Sequence, residues 1–238
     1  MTAILTLLMT TASAADPTVE ELLNATDDVL RGESSRAVVE MHVKTSRYER
    51  TMKMETWSQG TEKSLIVIRA PAKDEGVSTL KVGDNIWNYL PKVDRTMKVP
   101  AGMMGGSWMG SHFTNDDLVK ESRLSEDFTW TDPAKNDAGN WVLTLTPKEN
   151  AAIVWGSVVV EVTPDRMPVS IAYNDEDGSL ARTMTWEDIR DVDGRKLPMV
   201  MRLVPADKPE EFTKITYAEI DFDIELAEST FSLQSLKP

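Results

Sequence analysis

Apolar residues recur along this chain with two different periods, and the change of period divides the chain into a short helical part and a long β part. Asp16 and Pro17 favour the start of a helix, since one can cap it and the other suits its first turn. The apolar residues that follow have the spacing of one helix face: Val19, Leu22, Leu23, Val29 and Leu30. From Arg36 onwards the period becomes two, which predicts β-strands.

Later segments repeat the alternation and are separated by short turn signals, such as Gly83-Asp84, Asp177-Gly178 and Asp193-Gly194. Roughly ten or eleven strands this close together in sequence predict an antiparallel meander, and a sheet of that size usually curls or closes. Because no composition break marks a linker, we expect residues 15–238 to form a single domain.

The first residues form a continuous apolar run, Met1–Met9, which ends at Ala12-Ser13-Ala14. This pattern predicts a secretory signal peptide over residues 1–14, cut between Ala14 and Ala15. The run is too short to span a bilayer, which takes about 20 apolar residues. A buried N-terminal helix is the alternative interpretation. We therefore expect an exported protein without a stable membrane anchor.

Composition and charge exclude several classes of function. The net charge of −13 argues against nucleic acid as a partner, and the lack of cysteine excludes disulfides, thiol nucleophiles and cysteine-ligated metals. The only histidines are His42 and His112, too few for a convincing metal site or triad. Gly105-Gly106-Ser107 is not a nucleophile elbow, because Met109 stands where that motif needs glycine. We expect no enzyme activity, no catalytic residue, no metal and no cofactor.

The segment 100–113 is apolar but unsuited to a regular strand or helix, since four glycines within nine residues raise the entropic cost of ordering. Thr114 then caps a short helical turn with Asp117 at its third position. We interpret this segment as a movable lid over a hydrophobic cavity, and a structural loop is the alternative. The lid residues would be Met103, Met104, Trp108, Met109 and Phe113.

Residues 83–91, 95–100 and 113–119, together with the Met/Gly segment between them, resemble the LolA-like outer membrane lipoprotein-sorting proteins. More narrowly, they resemble the branch often encoded beside RND/MMPL-type exporters. The resemblance implies a half-open antiparallel β-barrel of about eleven strands, with an N-terminal helix and a short helical lid covering its mouth. It also implies a hydrophobic cavity for acyl chains.

The function implied by the resemblance is that of a periplasmic carrier, which binds acyl chains of lipoproteins or lipids and shuttles them toward the outer membrane. Its donor would be an inner-membrane RND/MMPL-type or ABC transporter. A non-catalytic sensor or accessory subunit of such a transporter is the alternative. We expect inward-facing residues of the strands to form the cavity wall: Met41, Tyr48, Met52, Met54, Ile66, Ile68, Trp87, Tyr89 and Met97.

In LolA an arginine inside the barrel hydrogen-bonds the lid and sets its opening. The matching stretch of this sequence offers Lys63 instead, and Arg50 shares the apolar face of the preceding strand. Both residues are candidates for a lid latch.

Overall fold

The computed structural model describes residues 16–30, 32–120, 124–151 and 153–237. The predicted signal peptide, residues 1–14, lies outside these ranges. None of the described helices is both long and apolar enough to cross a membrane.

The described ranges contain three short α-helices and 14 strands. The helices are α1 (Val19–Asp28), α2 (Asp117–Lys120) and α3 (Leu124–Asp127). The strands are β1 (Ser34–Lys44), β2 (Glu49–Gln59), β3 (Lys63–Ala70), β4 (Ser78–Val82), β5 (Asn85–Leu90), β6 (Arg95–Lys98), β7 (Phe128–Trp130), β8 (Ala134–Lys135), β9 (Trp141–Pro147), β10 (Ser157–Val162), β11 (Pro168–Asn174), β12 (Leu180–Val192), β13 (Arg195–Pro205) and β14 (Phe212–Phe222).

All strands belong to one antiparallel sheet, in which β1 to β6 pair in chain order and β9 to β14 pair in chain order, as expected for a meander, and β1 joins the two runs by pairing with β14. Strands β7 and β8 both pair with β9. The sheet does not close, because its path ends at β6 on one side and at β7 on the other. The mainly β, open-barrel fold with a helix near the N-terminus is therefore confirmed. The strand count exceeds the prediction partly because β7 and β8 have only three and two residues, too few to show an alternation.

Helix α1 packs on one face of the sheet, which we call the inner face. Its N-cap is Thr18 rather than the predicted Asp16, because Thr18 and Glu21 form a reciprocal capping box. Leu22 and Leu23 are fully buried in the large cluster of the inner face. The helix therefore covers part of the sheet, as its apolar stripe requires.

The opposite face, which we call the outer face, carries a second and smaller cluster. Strand β3 shows the division, since Ile66 and Ile68 pack with the inner cluster while Leu65 and Val67 pack with the outer one. Residues of the C-terminal segment cover the outer cluster, with Phe231 and Leu236 both buried there.

Candidate functional site: a lid over an apolar cavity

Residues 99–120, which we call the lid segment, leave the sheet at β6 and return across the inner face. Trp108 is the deepest anchor, with only 3% of its surface exposed, and its indole Nε1 donates to Thr79 Oγ1 at 3.1 Å. Phe113 is equally buried in the inner cluster, and Met109 packs partly against it. Met104 is half-buried and Met103 is 62% exposed. The five predicted lid residues thus divide into inserted anchors and more exposed methionines.

Side chains at the start of β2 hold the lid segment by its backbone. The Arg50 Nη2 donates to the carbonyl of Met109, and the Tyr48 hydroxyl donates to the carbonyl of Gly110. Gly110 has a φ of 64°, and a Cβ there would lie 2.9 Å from the Tyr48 hydroxyl, so this close contact requires glycine. The ammonium of Lys63 points to the outer face, donating to Gln59 Oε1 at 3.3 Å and lying 6.0 Å from the Phe231 ring centroid. Of the two latch candidates, Arg50 is the one that contacts the lid.

A buried ion pair holds the lid segment from the opposite wall. Arg182 on β12 donates from Nη1 to Asp117 Oδ2 at 2.8 Å and from Nη2 to Asp117 Oδ1 at 2.6 Å, and both side chains are buried. The Arg182 guanidinium also lies 4.6 Å from the Trp155 ring centroid and 4.4 Å from that of Tyr173. Sequence analysis missed this contact. Its only sequence signal was the capping position of Asp117, whose carboxylate accepts from the Thr114 N–H at 2.7 Å.

A third contact joins the lid segment to the end of the sheet at β14. The backbone N–H of His112 donates to Thr213 Oγ1 at 2.9 Å, and His112 Nε2 lies 3.2 Å from Glu211 Oε2. The N–H of Ser46 donates to Glu211 Oε1 at 2.8 Å and, together with His112, lowers the pKa of that carboxyl from 4.5 to about 2. The lid is therefore fastened by polar contacts at three separate points of the sheet.

A cavity of about 180 Å³ lies between the lid segment and strands β1 to β4. Trp108, Phe113 and Leu118 line it from the lid side. The strand residues that line it are mostly apolar in the middle and polar at one end: Ser35, Ala37, Val39, Met54, Thr56, Trp57, Ser58, Lys63, Ser64, Ile66 and Lys81, with Met201, Ile215 and Tyr217 from β13 and β14.

A second cavity of about 510 Å³ lies on the other side of Asp117, which lines both. Its apolar lining includes Met104, Leu124, Phe128 and Trp155. The lid segment therefore has an apolar space on each side of the Arg182–Asp117 pair.

The structure brings only part of the predicted wall to the cavity. Met54 and Ile66 line the cavity, and Met41, Met52 and Ile68 are packed in the inner cluster. The other predicted wall residues lie outside the cavity lining, namely Tyr48, Trp87, Tyr89 and Met97.

Trp87 and Tyr89 belong to the outer cluster, so the inner face was wrongly assigned to them. The reason is the register of β5. Asn88 pairs with Thr79 of the inner face and therefore faces inward, so its neighbours Trp87 and Tyr89 face outward. Met97 pairs with Asn88 at the free edge of the sheet and is 44% exposed there. Tyr48 is 41% exposed and contacts the lid instead of lining the wall.

Within the described ranges, no three histidine, aspartate or glutamate side chains are grouped so as to hold a metal ion. The chemistry that the site offers is apolar contact beneath a segment that hydrogen bonds and an ion pair hold on the sheet.

A protein-family model described as "Uncharacterized protein" matches residues 60–238. No curated protein matches the sequence. Solved structures do match over most of the chain. One is a DUF1329 family protein from Desulfovibrio piger, with a TM-score of 0.77 and 22% identity, covering 94% of this chain and 100% of the other.

A second matching structure is a domain described as an outer membrane lipoprotein-sorting protein from Vibrio parahaemolyticus, with a TM-score of 0.76, 21% identity, and coverage of 92% of this chain and 96% of that one. A third is a LolA superfamily protein from Nitrosomonas europaea, with a TM-score of 0.74, 18% identity, and coverage of 92% and 99%. At these identities the likeness is one of fold.

Proposed function

This chain belongs to the family of uncharacterized proteins whose model matches residues 60–238, and it has the fold of the LolA superfamily, so we propose that it is a periplasmic carrier of acyl chains. It would bind the acyl chains of lipids or lipoproteins under the lid and carry them toward the outer membrane. An inner-membrane transporter of the RND/MMPL or ABC type would supply the cargo.

The observation that carries this proposal is the apolar cavity between the inner face and the lid segment. An acyl chain gains about 0.8 kcal/mol for each methylene removed from water, so a modest apolar wall gives useful affinity. Release requires that the cover can open without unfolding the sheet. The Arg50 and Tyr48 contacts to backbone carbonyls suit this need, because they fasten the lid at points rather than along a strand.

The net charge of −13 also supports the role of a shuttle. An acidic surface is repelled by the negative surface potential of bilayers rich in anionic lipids. A carrier with this charge would meet membranes through specific contacts and would not adsorb to them at random.

The direct test is native mass spectrometry and lipid extraction of the protein purified without detergent. A carrier is expected to retain acyl-bearing ligand in stoichiometric amount. A protein that emerges empty and fails to bind any fluorescent acyl probe would contradict the proposal. An empty protein that co-purifies with an inner-membrane transporter would favour the accessory-subunit alternative.

A cavity-filling variant provides the structural test. Thr56→Trp places a large ring in the cavity from β2 and should weaken acyl-probe binding by about tenfold or more, because the ring occupies the space of several methylenes. The matched control is Thr51→Trp, an exposed position on the same strand, which should leave probe affinity within about twofold. Equal affinity of the two variants would place the probe elsewhere on the molecule.

A further inference from the structure

The inner face of β1 to β4 is graded from polar to apolar in successive rows. The first row crosses the four strands through pairs in register, Ser35 with Ser58, Ser58 with Ser64, and Ser64 with Lys81. All four of these side chains line the cavity under the lid. We call this set the polar row.

Two residues further along each strand, the register gives a mixed row: Ala37, Thr56, Ile66 and Thr79. The next row is apolar, with Val39 opposite Met54 and Met54 opposite Ile68. The cavity therefore changes from polar to apolar along the strand direction, and the change is set by the register of the sheet. An amphiphile likewise has a polar group at one end and an apolar chain beyond it.

Lys81 gives the polar row a positive charge. It is only 2% exposed, although lysine is rarely fully buried, and its ammonium donates to the carbonyl of Thr61. The Lys63 ammonium lies on the outer face instead, 3.3 Å from Gln59 Oε1 and 6.0 Å from the ring centroid of Phe231, so the positive charge of the polar row is that of Lys81. Hydrogen bonds from an ammonium to an anionic oxygen are among the stronger ones, above all where water is excluded.

Hydroxyl groups add neutral donors beside the charge. Ser35 Oγ and Ser58 Oγ lie 2.7 Å apart, so one of them donates to the other. A hydroxyl has one donor and two acceptor sites, so the second member of the pair keeps its proton for another partner. Oxygen-rich anions are the groups that such a mixture of ammonium and hydroxyl donors recognises.

We propose that the polar row binds the anionic headgroup of an amphiphile whose acyl chain lies against the two rows beyond it. This inference rests on the proposed carrier function and names its ligand class. The headgroup could be the carboxylate of a fatty acid or the phosphate of a phospholipid, which share anionic oxygens. The Asp117 carboxylate, which also lines the cavity, is paired with Arg182.

The test compares four probes with the same ten-carbon chain: decanoate, decyl phosphate, decanol and decyltrimethylammonium. Each is titrated at low salt against a bound fluorescent acyl probe. We expect the anionic probe with the preferred headgroup to bind about tenfold more tightly than decanol, and the cationic probe to bind most weakly. The ratio of decanoate to decyl phosphate affinity then identifies the carboxylate or the phosphate as the natural headgroup.

Lys81→Met keeps the length of the side chain and removes its charge. It should reduce the affinity for the preferred anion by about tenfold and leave that for decanol within about twofold. The matched control is Lys92→Met, which removes an exposed charge that does not line the cavity and should leave every affinity unchanged.

Because Lys81 is buried, a second variant keeps the test independent of folding. Ser64→Asp retains Lys81, adds a negative charge to the polar row, and should weaken both anions by about tenfold while decanol binds as before. If the wild-type protein binds decanol as tightly as both anionic probes, or more tightly, the headgroup site is overturned and the carrier function still stands. Failure of all four probes to bind would overturn both.

Discussion

Glu211 is the residue whose surroundings make the sharpest pH prediction. Its pKa is lowered from 4.5 to about 2, mainly by the N–H of Ser46 and then by His112 of the lid segment. A depressed carboxyl pKa stabilises the fold fully above the unfolded value and loses that contribution as pH falls through the folded value. The Glu211 contribution should therefore be lost between about pH 4.5 and about pH 2.

The variant Glu211→Gln should accordingly be less stable than wild type at pH 7 and should approach it as the pH falls toward about 2. Urea unfolding at a series of pH values measures the difference. Glu210→Gln, the exposed neighbour, is the matched control and should follow wild type throughout. If the difference in unfolding free energy between Glu211→Gln and wild type stays constant with pH, the charge of Glu211 contributes nothing to the contact.

At the scale of single residues, the sequence pointed to one side chain that contacts the lid segment. Arg50 was a latch candidate because it shares a face with apolar residues, and it does contact the lid. Arg182 could not be found in this way. Its partner Asp117 lies 65 positions away in sequence, and nothing in the local pattern around either residue distinguishes a buried pair from solvated charges.

The short helix α2 is fixed to strand β12 by that buried pair, and we expect the pair to be essential for docking the lid. Asp117→Asn preserves the size of the side chain and leaves the buried Arg182 without its counter-charge, which costs about 3–5 kcal/mol of unfolding free energy. The double variant Asp117→Asn with Arg182→Met should recover part of this loss, because no buried charge remains.

Chemical denaturation of the four proteins in this cycle measures the coupling between Asp117 and Arg182. The exposed pair Arg190 and Asp188 serves as a control, since Asp188→Asn should cost no more than about 1 kcal/mol. Similar losses for Asp117→Asn and Asp188→Asn would mean that the buried pair does not hold α2.

At the scale of elements, the antiparallel pairing of neighbouring strands was predictable from the sequence. Which face of the sheet each side chain occupies was predictable for only some of the strands. Turn signals place the strands in sequence, and short connections make neighbours antiparallel. The face of a residue depends on parity, and a shift of one residue exchanges the two faces of a strand. This is how Trp87 and Tyr89 were assigned inward although both lie in the outer cluster. Each face of β5 carries one asparagine, Asn85 beside Trp87 and Asn88 beside Ile86, so the alternation carried no signal for the correct choice.

For the whole molecule, the two apolar clusters on opposite faces of one sheet imply that the two faces have separate roles. The inner face provides the cavity, whereas the outer cluster is filled by the molecule's own C-terminal segment. Sequence analysis did not foresee this cover, because Phe231, Leu233 and Leu236 follow no strand or helix period. If the two faces have separate roles, substitutions on the outer face should change stability and substitutions on the inner face should change ligand affinity.

Leu236 and Leu233 allow this separation to be tested with matched variants, because they lie in the same segment with exposures of 1% and 50%. Leu236→Ala should lower the unfolding free energy by about 2–5 kcal/mol through loss of buried methylenes and the cavity left behind, and Leu233→Ala by less than about 0.5 kcal/mol. Urea denaturation measures both. Acyl-probe affinity of the folded Leu236→Ala protein should equal that of wild type, because its cluster packs on the far side of the sheet from the ligand. A large fall in affinity together with stability would show that the outer cluster shapes the cavity wall and that the two faces act as one unit.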